Sequence, residues 1–243
     1  MKRFLSLLIG VFILFSTTAC NLFQTNDSSG EFTMKNFIIF GDSYSTFQGY
    51  IPDGYATYYA TTPNAGTDVC HVKQTWWHQL KTKTGAKLVQ NNSWSGSTIG
   101  YTGYNGTDAS TSSSFIYRFE KLVQDGFFNE NPVDTVFVFG GTNDNWADAP
   151  IGEFKYSDWE KSDLYSVLPA VCYFLNALKT QLPNAKIVVI VNTELKKVVE
   201  NGLLTIAEHY GATGVLLHDI DKTNGHPTHR GMTQICEQVL AVL

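Results

Sequence analysis

The sequence predicts an α/β fold, a parallel sheet of about five strands sandwiched between helices. Two observations predict it. Short β-rich runs alternate along the chain with longer helical patterns, the order expected of strands joined by crossover helices. Three of those runs are nearly continuous apolar stretches, as in strands covered on both faces. At 243 residues, with 43% hydrophobic and 16% charged content, the chain fits one domain, or at most two small ones, with a large core.

The expected strands are NFIIF (36–40), KLVQN (87–91), DTVFVFG (134–140), KIVVIV (186–191) and TGVLLH (213–218). Helical patterns run over Thr75 to Thr84, Phe115 to Asp125, Val167 to Gln181, Glu194 to Tyr210 and Gly231 to Leu243. Pro169 suits the first turn of its helix and Pro183 follows its end. TELKK (193–197) reads as a helix cap and first turn. One long insertion, residues 44–74, rich in Tyr, Thr, Gly and Pro, separates the first strand from the first helix.

Residues 1–20 differ in kind from the rest. Lys2 and Arg3 precede an apolar run from Phe4 to Phe15, and Thr17, Thr18 and Ala19 lead to Cys20. That is the pattern of an export signal. Its end resembles a bacterial lipobox, with Thr17 where leucine is usual, which implies lipidation at Cys20 and anchoring to a membrane of the cell envelope. A plain secretory signal is the alternative. Residues 21–34 read as a flexible tether and 35–243 as the folded domain. Cys172 and Cys236 lie in helical apolar patterns as small core residues, and Cys70 lies in a loop. No CxxC occurs, so no cysteine-rich metal site is expected. A net charge of −5 argues against non-specific nucleic-acid binding, which needs a basic face.

Sites in parallel sheets gather at the carboxyl ends of strands. The first strand is followed by GDSYS with Ser43, the second by NNSWSGST with Gly96, the third by GGTNDNW with Asn143, and the fifth by DIDKTNGHPTHRGM with His226. A nucleophile, two donors and a base thus fall at four strand ends. The loop serine of an ordinary tight turn is the bland alternative for Ser43, and Asp144 reads as a local Asx-turn residue.

These four blocks, in this order, resemble those of the SGNH, or GDSL, hydrolase family. The resemblance implies its flavodoxin-like three-layer α/β/α sandwich. It also implies Ser43 as nucleophile, His226 as general base, and Ser43, Gly96 and Asn143 as oxyanion donors, with no metal and no cofactor. Serine needs a base to become nucleophilic, and a tetrahedral intermediate needs preorganised donors. The chain departs from the family at one point: Asp-x-x-His becomes Thr223-x-x-His226. Asp221 is the candidate orienting acid. A backbone carbonyl orienting a Ser-His dyad and an inactive site are the alternatives.

Trp94 and Trp146 fall at strand ends, and Tyr101 and Tyr104 lie in the Gly-rich loop STIGYTGYNGTD. Trp94, Trp146 and Tyr101 are the candidate substrate-binding residues, since aromatics around a polar site suit sugar rings. At least one of Trp76 and Trp77 is expected in the core. The expected function is hydrolysis of small acyl esters, O-acetyl groups on carbohydrate first among them, with an acyl ester or acylated glycan as partner. A lipase or thioesterase acting on lipid acyl chains, and a catalytically weak glycan-binding lipoprotein, are the alternatives.

Overall fold

The computed structural model describes residues 33–62 and 66–243. The export-signal segment, Cys20 and the tether up to residue 32 lie outside the described residues. Met34, placed at the end of the tether by sequence, is buried in the core.

Five parallel strands form the sheet: β1 (Asn36–Gly41), β2 (Lys87–Ser93), β3 (Thr135–Phe139), β4 (Lys186–Val191) and β5 (Thr213–Leu216), in the order β2-β1-β3-β4-β5. The apolar runs of β1, β3 and β4 take the three central places, where period-2 alternation sends neighbouring side chains into two different cores. Ile38, Phe40, Val136, Val138, Ile187 and Val189 enter one; Phe37, Ile39, Phe137, Phe139, Val188 and Ile190 enter the other.

The first core is closed by α2 (Phe115–Gln124), α5 (Val167–Gln181) and α6 (Lys197–His209), and the second by α1 (Trp76–Thr84) and α7 (His229–Leu240). This is the expected three-layer α/β/α sandwich. Trp76 and Trp77 are both core residues. Cys172 and Cys236 are fully buried on opposite sides of the sheet, and Cys70, Cys172 and Cys236 are all free thiols.

Two short helices escape the sequence reading, α3 (Phe127–Glu130) and α4 (Thr142–Trp146). The start of α6 also differs. Glu194 has φ +66, a left-handed turn, and the Lys196 N–H donates to Asn145 Oδ1 at 2.9 Å, so TELKK is a turn tied to α4 and the helix begins at Lys197. Pro169 does lie in the first turn of α5.

The chain leaves β1 toward β2 on one side and later returns to place β3 on the other. Such a reversal of strand order is where open parallel sheets carry their sites, here beyond the carboxyl ends of β1 and β3. The blocks carrying Ser43, Gly96 and Asn143 all follow strands that end there.

Candidate active site

Gly41 ends β1 where a side chain could not fit: a Cβ would lie 2.5 Å from Ser93 Oγ and 2.7 Å from Ser45 Cβ. Close strand approach, more than turn freedom, demands this glycine. Asp42 then caps a single 3₁₀ turn, Ser43–Ser45, by accepting the Tyr44 N–H at 3.0 Å. The Asp42 carboxyl is wholly buried, and burial, helped by the nearby Asp144 carboxylate, raises its pKa to about 7 against that backbone hydrogen bond. Ser43 is buried, with its Oγ 3.0 Å from His226 Nε2, across 183 residues of sequence.

His226 belongs to a small hairpin in which Lys222–Thr223 pairs antiparallel with His226–Pro227. Its turn is Asn224-Gly225, both with positive φ (51° and 75°), as a two-residue hairpin turn favours. Thr223 therefore sits directly across from His226. The imidazole Nδ1 faces the carbonyl oxygen of Asn224 at 3.2 Å. A proton on Nδ1 satisfies that carbonyl and leaves Nε2 free to accept the Ser43 hydroxyl proton, which sets the tautomer a base requires.

Asp221 is not the orienting acid. It is exposed, and its carboxylate accepts the Thr228 hydroxyl while its carbonyl accepts the Thr228 N–H at 3.0 Å. The hairpin register places it opposite Thr228, so it braces the start of α7.

Aromatic rings enclose the imidazole instead. Tyr58 stacks on it at 3.6 Å between centroids with 6° between planes, Trp146 stands edge-on at 5.9 Å, and Tyr44 is tilted at 5.3 Å. Tyr44 and Tyr59 anchor the hairpin by donating hydroxyl protons to the carbonyls of Gly225 and Pro227. Burial lowers the His226 pKa below its usual value; the Asn224 carbonyl opposes this, and the Lys222 charge adds to it.

The oxyanion candidates come from β2 and β3. After β2, the Trp94 N–H donates to Gly41 O at 3.1 Å and the chain turns at Gly96, whose φ of +82° favours glycine although space around it is open. After β3, Gly140 and Gly141 pack where a Cβ would strike Phe115 and Leu203, and α4 begins. Asn143, in its first turn, is buried; its Oδ1 accepts the Tyr104 hydroxyl at 2.7 Å and its Nδ2 donates to Ser97 O at 2.9 Å. Those two bonds fix which end of the amide is which and leave one Nδ2–H for the site. Sequence reading had not given Tyr104 this role.

Asp144 is no local Asx-turn residue. Buried beside Asn143, it accepts the N–H groups of Ile99 (3.0 Å) and Gly100 (3.2 Å), tying the Gly96 loop to α4, and burial raises its pKa to about 6. Arg118 was missed altogether. It is buried, and it donates to Asn92 O, Asn92 Oδ1 (2.7 Å), Gly41 O (3.2 Å), Ser97 Oγ (3.1 Å) and Ser113 O (2.8 Å). One guanidinium thus joins the ends of β1 and β2 to the Gly96 loop.

Among the three aromatics expected at the substrate, Trp146 is 42% exposed and edge-on to His226, and half-buried Trp94 lies tilted against Tyr55 at 4.4 Å. Tyr101 is a correction. It is 5% exposed, packs in the core against Tyr165, and cannot line a site.

Comparison with known proteins agrees with this fold. The family model for GDSL-like lipases and acylhydrolases matches residues 35–243. Two solved structures described as GDSL-like lipases, from Bacteroides ovatus and Bacteroides uniformis, are each 43% identical to this chain with TM-scores of 0.80. The first match covers 87% of this chain and 98% of the other, and the second 86% and 95%. An acetyl xylan esterase from Butyrivibrio proteoclasticus shares the fold at 15% identity and a TM-score of 0.54, over 87% of this chain and 64% of that one. Among curated proteins none matches. The chain belongs to the GDSL-like lipase/acylhydrolase family and is a hydrolase of carboxylic esters.

Proposed function

We propose that this protein is a serine esterase that removes small acyl groups, O-acetyl groups above all, from carbohydrate through an acyl-enzyme on Ser43. The observation that carries the reading is the 3.0 Å contact between Ser43 Oγ and His226 Nε2. Ser43 Oγ attacks the ester carbonyl carbon as its proton passes to His226 Nε2. The oxyanion is held by the Ser43 and Gly96 N–H groups and the spare Asn143 Nδ2–H. The ester C–O bond breaks, and His226 returns the proton to the departing sugar oxygen. Water then repeats the sequence on the acyl-enzyme, releasing the acid and Ser43. In this reading the dyad is completed by the Asn224 carbonyl.

The carbohydrate preference is supported by the rim. Trp146 stands edge-on to His226, Tyr104 bonds Asn143 and Trp94 follows the end of β2, and such groups suit a sugar ring better than an alkyl chain. The same fold serves an acetyl xylan esterase. A panel of acetylated oligosaccharides beside short- and long-chain nitrophenyl esters tests this, with Ser43→Ala as control. Release of acetate from the oligosaccharides and preference for short chains are expected. Preference for long acyl chains favours the lipase reading, and no turnover of any ester favours a glycan-binding protein.

We also infer export and lipid anchoring through Cys20, supported by the segment Met1 to Cys20. Mass spectrometry of the mature N-terminus should find lipidated Cys20; an unmodified terminus downstream of it would contradict the anchor.

A further inference from the structure

In a serine triad the carboxylate fixes the histidine tautomer, orients the ring, and stabilises the imidazolium that forms when the serine proton is taken. Here the Asn224 carbonyl accounts for the tautomer. Orientation and charge remain to be supplied, and among the described residues no carboxylate is placed to supply them. Asp221 is turned to Thr228, Asp42 to the Tyr44 N–H, and Glu194 to Lys222 Nζ at 3.2 Å. The charged group within the hairpin, Lys222, has the wrong sign.

What faces the imidazole is the ring of Tyr58, 3.6 Å away and within 6° of parallel. Tyr58 belongs to the insertion 44–74, and its position is fixed from the nucleophile side. Thr46 Oγ1 donates to Ser43 O at 3.0 Å and accepts the Tyr58 N–H at 2.9 Å. On the other side the insertion grips the histidine block. Tyr59 holds Pro227 O at 2.8 Å, Asp68 Oδ1 accepts the His229 N–H at 2.7 Å, and a Cβ on Gly66 would lie 2.2 Å from Asn224 Nδ2.

We propose that Tyr58 is a positioning residue that takes over the remaining work of the absent triad carboxylate. Its ring keeps the imidazole aligned on Ser43, and its π face receives the positive charge His226 gains in the transition state. The insertion thereby becomes the orienting device of the site. This rests on His226 being the base, as proposed above.

The test separates face electrostatics from shape. Tyr58 is replaced by phenylalanine, by ring-trifluorinated phenylalanine of nearly the same size, and by leucine, and kcat and KM are measured on a short-chain acetyl ester. Tyr58→Phe should keep kcat within about threefold, and the trifluorinated ring should lower kcat by about tenfold further with KM unchanged. Tyr58→Leu should fall by at least as much. Equal kcat for the phenylalanine and trifluorinated variants, or full activity in Tyr58→Leu, overturns the proposal. His226→Ala in the same assay keeps the two claims apart. If it retains activity, the reading of the base fails; if it is inactive while fluorination changes nothing, only the role of Tyr58 fails.

Discussion

His226 turns its Nδ1 to the backbone carbonyl of Asn224, 3.2 Å away, and meets no carboxylate among the described residues, while its Nε2 lies 3.0 Å from Ser43 Oγ. The Asn224-Gly225 turn makes this possible by folding Thr223 across from His226 and sending Asp221 toward α7.

Asp221→Asn should therefore leave kcat within about twofold of the parent. A triad carboxylate replaced by its amide costs about 10⁴. Steady-state kinetics on a short-chain ester decides between these outcomes, and a small loss of thermal stability from the altered Thr228 contact is expected with either.

Tyr104→Phe removes the hydroxyl that orients the Asn143 amide. Asn143→Ala should cost about 10²–10³ in kcat, as for an oxyanion donor, and Tyr104→Phe about tenfold. In the Asn143→Ala background the tyrosine change should do nothing more. Additive losses would show that Tyr104 acts elsewhere.

The pH dependence has a defined sign. His226 must be neutral to take the Ser43 proton, and burial and Lys222 both disfavour its charged form. The acid limb of kcat/KM should thus lie below the ordinary histidine value of 6.5, with activity persisting into mildly acidic buffer. Lys222→Gln takes away a repelling charge, so the limb should move to higher pH.

Arg118 predicts a stability effect. Arg118→Met strands buried acceptors on Asn92 and Ser97, while Gly41 O keeps the Trp94 N–H, at about 1–3 kcal/mol for each that finds no other donor. Thermal unfolding should show a loss of several degrees or more, with activity lost as the Gly96 loop loosens.

Much of this was legible in the sequence. Continuous apolar runs such as FIIF and VFVF mark strands buried on both faces, and the polar blocks after them mark the site. What escaped depends on contacts distant in the chain. Tyr101 and Tyr104 stand three residues apart in one Gly-rich loop, yet one fills the core and the other holds Asn143. No local pattern shows that Arg118, inside an amphipathic helix, reaches five acceptors, or that Tyr58 lands on His226. One missed feature did carry a signal: Asn224-Gly225 marks a two-residue hairpin, and reading it would have moved Asp221 away from the imidazole.

The central claim is that Ser43 carries the acyl group during turnover. Acid-quenching the enzyme during hydrolysis of a short-chain acetyl ester, followed by peptide mass spectrometry, tests it most directly. The account predicts one acetyl group on the peptide containing Ser43 in the parent, and neither modification nor turnover in Ser43→Ala. Sustained turnover by Ser43→Ala would contradict it.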